Sequence, residues 1–94
     1  MDSLAKHLKI RGLVQGVMYR ESMRQKAIEL GIMGWVRNRT DGSVEALVQG
    51  ESSAVEKISN WAKKGPSRAR VVEVIETPAT FDPSIKTFER KDTI

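Results

Sequence analysis

Arg20 closes the run "GLVQGVMYR", residues 12–20, which also holds Gly12 and Gly16. A guanidinium presents a planar fork of donors that matches two oxygens of a phosphate or carboxylate. Residues of clear helical character follow at once, so the run feeds a helix N-terminus. The first N–H groups of a helix lack internal partners, and the helix dipole makes that end favourable for an anion. Successive loop amides can curl into a concave nest around oxygen atoms. Gly16 permits backbone angles and a close approach that a Cβ would hinder. Bare loop amides and the Arg20 guanidinium would then form a small phosphate socket. Glycines after a strand serve equally as plain turn residues, and spacing alone leaves both readings open. No Gly-Lys-Ser/Thr follows, so this is not a Walker loop, and a dinucleotide fingerprint would need a third spaced glycine.

The elements that must position this run are legible around it. "AKHLKIR" alternates, with Leu8 and Ile10 on one face and His7, Lys9 and Arg11 on the other, as a half-buried strand does. "ESMRQKAIEL" places Met23, Ala27 and Leu30 at helical spacing, and Gly31 suits a left-handed stop. "IMGWVRNR" and "SVEALVQ" read as two strands joined by "TDGS", an Asp-Gly hairpin signal. "SAVEKISNWAKK" predicts a second helix with Ala54, Val55, Ile58, Trp61 and Ala62 as its apolar stripe. Ser53 and Glu56 have capping-box spacing, Lys63 and Lys64 suit the negative helix end, and Gly65-Pro66 stops the helix. "RARVVEVIE" predicts a fourth strand. "TPATFDPS" reads as loop because of its prolines, and "IKTFER" leaves room for a short last strand.

This order, βαββαβ with a short extra strand, predicts an α+β ferredoxin-like sandwich with both helices on one face of a mainly antiparallel sheet. The third strand would lie between the first two, which then run the same way and end at one edge. That brings Asn38, at the end of the second strand, within two strand spacings of the glycine-bearing loop, roughly 10 Å. By itself Asn38 reads as an ordinary strand-end residue; only its meeting with the loop and Arg20 singles it out.

The chain has 94 residues, 39% hydrophobic and 30% charged, with a formal net charge of +4 and no cysteine. That predicts one domain over residues 1–94, with its core at about 6–90 and a short C-terminal tail. Disulfides and thiolate metal sites are excluded, which fits a cytoplasmic protein. The start "MDSLAKHLKI" lacks the apolar block of a secretory signal, and no run approaches the ~18 apolar residues of a membrane span. The small positive charge suits anionic partners, although a solvated surface accounts for it as well.

The two long motifs resemble those of the acylphosphatases. "GLVQGVMYR" is similar to that family's phosphate-loop signature, Gly-x-Val-Gln-Gly-Val, two bulky positions and Arg. "GWVRNRTDGSVEALVQG" resembles its second signature, with Gly34, Trp35, Asn38, Gly42, Val44 and Gly50 at the family's spacings, and "KKGPSRARVVEV" resembles its Gly-Pro and Ala-Arg-Val. The resemblance runs from about residue 6 to residue 88, with Met18, Tyr19 and Arg39 as departures. Tyr19 stands where phenylalanine or methionine is commoner, so its hydroxyl needs a partner. The resemblance implies a monomeric hydrolase that cleaves acyl phosphates to a carboxylate and inorganic phosphate. It implies Arg20 and Asn38 as catalytic residues, the amides of 15–20 as the phosphate cradle, and no metal, cofactor, nucleic acid or membrane.

Two other readings come with the fold. RNA-recognition domains share the strand and helix order, but they stack bases on aromatics of the first and third strands, where this chain has none. A non-catalytic regulatory module is the third reading. His7, the lone histidine, reads as an exposed strand residue, and no His/Asp/Glu cluster has metal-ligand spacing.

Overall fold

The computed structural model describes residues 2–94. The alternating start becomes β1 (Ser3–Leu13), with Leu8 and Ile10 fully buried. It is followed by α1 (Tyr19–Leu30), β2 (Met33–Asn38), β3 (Val44–Glu51), α2 (Ser52–Ala62), β4 (Arg70–Pro78) and β5 (Phe88–Arg90). The sheet order is β4-β1-β3-β2-β5. β3 is antiparallel to both β1 and β2, β4 is antiparallel to β1, and β5 is parallel to β2. This is the expected ferredoxin-like sandwich with its extra short strand.

The core lies between the sheet and the helix layer. Met23 and Ala27 of α1 and Val55, Ile58 and Ala62 of α2 join Leu8, Ile10, Val36, Val44, Ala46 and Val48 of the sheet. Each such valine, leucine or isoleucine contributes about 1.5–3 kcal/mol on full burial. Leu30 is only half-buried and Ile28 is exposed, so the buried stripe of α1 is narrower than the spacing suggested. Gly31 ends α1 at φ 72°. Its N–H donates to Ile28 O (3.2 Å) while that of Ile32 reaches Ala27 O (2.8 Å), the paired bonds of a Schellman ending. The Asp-Gly hairpin closes through Arg39 N–H to Ser43 O at 2.8 Å, and Asp41 Oδ1 accepts both the N–H and the hydroxyl of Ser43.

Four expectations are corrected. Gly12 is strand, not loop: it lies in β1 just after a register shift against β4, at φ 131°. A Cβ there would sit 2.1 Å from Arg70 O, which is why the position needs glycine. The capping box does not form, because α2 starts at Ser52 directly off β3 and Ser53 is already in its first turn. Ser53 Oγ instead donates to Glu51, Glu56 pairs with Lys6, and the Ser52 N–H goes to Asp2 O. Pro78 belongs to β4; an edge strand tolerates it at its end. His7 is half-buried rather than exposed, with Nε2 2.6 Å from Glu45 Oε2. Glu45 also accepts Arg37 Nε at 2.6 Å, since the β1–β3–β2 register sets these side chains together on the helix-free face. Burial pushes the Glu45 carboxyl up, but the bonds from His7 and Arg37 outweigh it and hold the group below its ordinary value. Trp35 lies on the same face, with the Arg37 guanidinium 4.9 Å and the Lys91 ammonium 5.4 Å from its ring centre.

Candidate active site

Because β3 runs against both β1 and β2, and β5 runs with β2, the C-terminal ends of β1, β2 and β5 meet at one edge of the sheet. The loop after β1 starts at Val14, which is 1% exposed and pins the chain to the core. Residues 15–18 then form a continuous bend. Gly16 (φ 73°) and Met18 (φ 66°) are both left-handed, and Met18 is the only non-glycine of that kind among the described residues. For a side-chain-bearing residue this conformation costs about 1–2 kcal/mol. Met18 O accepts the Ser22 N–H at 3.0 Å, so the strained residue is also the start of α1. Among the described residues, no backbone carbonyl accepts from the amides of 15–20.

Tyr19 fixes the helix behind the loop. Its ring is 1% exposed and packs on Trp61 with centroids 5.5 Å apart. Its hydroxyl donates to Ala62 O at 2.7 Å, supplying the partner that the sequence demanded. Burial raises the phenol pKa well above its ordinary 10.0. Gly65 makes room for the ring: a Cβ there would lie 2.7 Å from Tyr19 Cε2.

Arg20 follows in the first turn and lines a pocket of about 220 Å³ with Gly16, Met18, Tyr19, Asn38 and Arg90; Val14 and Glu21 complete the wall. Neighbouring Glu21 is engaged by other groups. Arg24 holds both its oxygens at 3.0 Å, Gln25 donates at 3.2 Å and Arg90 lies 3.4 Å away. The Arg24 bonds first, then those of Gln25 and Arg90, pull the Glu21 carboxyl down from 4.5 to about 2. Glu21 is therefore an anion at neutral pH, occupied with structure. Two guanidinium groups, those of Arg24 and Arg90, engage this carboxylate, and the pocket wall itself carries Arg20 and Arg90 against Glu21, an excess of one positive charge.

Asn38 closes the wall from the end of β2. Its Oδ1 is buried and has no protein partner among the described residues. A buried amide oxygen costs about 1–3 kcal/mol when unpaired. Ser59 Oγ is likewise unpaired among the described residues, but of the two only Asn38 lines this pocket. Of the residues singled out from sequence, Gly16, Met18, Tyr19, Arg20 and Asn38 thus meet in one cavity. Gln15 and Val17 share the loop but turn elsewhere: the Gln15 side chain reaches the β2–β3 turn, and Val17 packs against the core. Arg90 was missed. The run "IKTFER" shows a short strand, but not that it pairs in parallel with β2 and so ends beside Asn38. Among the described residues no cluster of three or more His, Cys, Asp or Glu could hold a metal ion, and no helix is long and apolar enough to cross a membrane.

The family model of the acylphosphatases matches residues 6–90. An acylphosphatase of Acidovorax sp. is 51% identical over 94 residues, covering 98% of this chain and 94% of the relative. One from Thiobacillus denitrificans is 56% identical over 77 residues, 80% of this chain and 86% of the relative. The solved acylphosphatase of Coxiella burnetii superposes with a TM-score of 0.88 at 35% identity, over 96% of this chain and 94% of that one. The Bacillus subtilis enzyme gives 0.89 at 28% identity, over 94% and 98%. A helix-backed sheet with an arginine-lined cavity at its strand ends is a class shared by many functions. The long motifs narrow that class, and this chain belongs to the acylphosphatase family.

Proposed function

We propose that the pocket hydrolyses acyl phosphates, cleaving the bond between the acyl oxygen and phosphorus to give a carboxylate and inorganic phosphate. The observation that carries the reading is the meeting, in one cavity, of Arg20, the unpaired loop amides and the partnerless Asn38 oxygen. The amides of 15–20 and the Arg20 fork cradle the phosphoryl oxygens. The Asn38 side-chain amide hydrogen-bonds the attacking water and turns its lone pair toward phosphorus. The water oxygen bonds phosphorus as the acyl oxygen leaves with its electron pair, and the water's proton passes to a phosphoryl oxygen.

So spare a site suffices for this reaction. The leaving carboxylate is already a stable anion and needs little protonation. Phosphoryl transfer is largely dissociative in most analyses, so the water needs little activation by a base. Positioning and electrostatic complementarity carry the rate. Arg90 adds a second cation at the outer wall, tempered by Glu21. Steady-state hydrolysis of benzoyl phosphate tests the reading: turnover inhibited competitively by inorganic phosphate is expected. A protein that binds phosphate but releases no benzoate would be a non-catalytic module instead.

A further inference from the structure

β1 and β2 are not neighbours; β3 separates them. The phosphate loop leaves β1 and Asn38 ends β2, so β3 spaces the two strands but no ladder bond joins the loop directly to the end of β2. One side chain spans them. Gln15 Nε2 donates to Arg39 O at 2.7 Å and to Ser43 O at 2.8 Å. These two residues close the hairpin turn through Arg39 N–H to Ser43 O, and Arg39 directly follows Asn38. Both protons of the Gln15 amide are used, and Asp41 braces the far side of the turn by holding Ser43. The task fits glutamine: glutamate offers no donor when ionised, and asparagine is a methylene shorter.

We infer that the Gln15 side chain is a positioning residue that locks the phosphate loop to Asn38, so that phosphoryl group and attacking water meet at a fixed separation. This rests on the hydrolase reading above. A misplacement of about 1 Å costs on the order of 10² in rate. Gln15→Met keeps length and volume but removes the donor. It is expected to lower kcat by about 10–100-fold. KM and the inhibition constant of inorganic phosphate should change by less than about threefold, because the amides and Arg20 remain. If Gln15 acts through Asn38, then in the Asn38→Ala protein the same change costs less than about threefold. Gln15→Glu supplies a second arm. Its kcat relative to wild type should recover as pH falls through about 6 to 4, where the carboxyl regains a proton to donate.

Urea midpoints establish that each variant is folded at the assay temperature, and the Glu variant carries the test should the Met variant unfold. Losses from Gln15→Met and Asn38→Ala that multiply independently would overturn the inference. So would a weakening of phosphate binding equal to the loss in kcat, a kcat within about twofold of wild type, or a Gln15→Glu protein that tracks wild type across pH. Wild-type protein that fails on benzoyl phosphate refutes the hydrolase reading instead, so the two failures are separate.

Discussion

Tyr19→Phe removes one oxygen from the protein and leaves the ring in place. The hydroxyl lost is the one that donates to Ala62 O at 2.7 Å. Ala62 is the last residue of α2, and the final carbonyls of a helix have no internal partner. It is also fully buried, so water does not readily replace the phenol. The loss is therefore that of a buried acceptor left unpaired, about 1–3 kcal/mol. For a domain of this size that lowers Tm by about 5–20 °C. Urea unfolding followed by tryptophan fluorescence should show a lower midpoint with an unchanged slope. The alkaline limb gives an independent check. Burial raises the folded-state phenol pKa above 10.0, the value of the unfolded chain. That contribution to stability is whole below pH 10 and is lost as pH climbs toward the folded pKa, because only the unfolded chain releases the proton. The Phe protein should lack that part of the decline. A midpoint equal to wild type would refute the claim that this hydroxyl ties α1 to α2.

Arg20→Ala should cost at least about 10²–10³ in kcat/KM, and Asn38→Ala should lower kcat more than it raises KM; near-normal turnover on benzoyl phosphate in either would overturn the roles proposed. Gly12→Ala drives a Cβ toward a backbone oxygen 2.1 Å away, so it should lower the urea midpoint far more than Gly42→Ala, where no atom lies within 4 Å, despite positive φ at both. Glu21 is held at about 2 against its ordinary 4.5. Its contribution to stability is present above pH 4.5 and lost as pH falls toward 2, so Glu21→Gln should flatten the acid unfolding curve in that window.

The elements that could be read from sequence were those announced locally. Alternation at residues 6–11, an Asp-Gly turn and a glycine after a helical stripe each carry their own physics within a few residues. The meeting of the loop, Arg20 and Asn38 was legible one level up, because the strand order follows from the element order. What escaped depends on register. Gly12 looks like a loop glycine until Arg70 O lies against it. His7 looks solvated until Glu45 and Arg37 arrive from two other strands. The side chain of Gln15 and the position of Arg90 are likewise fixed by partners at 39, 43 and 21, which no local pattern names.

The loop, its guanidinium and its amide are all spelled out by residue 38, before β3 (Val44–Glu51) is reached. Yet β3 is the wedge that seats β1 and β2 in line, and Arg90 enters later still on β5. A nascent chain ending at Asn38 would own the chemical groups without the cavity. Return of turnover during refolding will therefore clock the completed sheet, and it will lag any probe that sees only the first strand and helix.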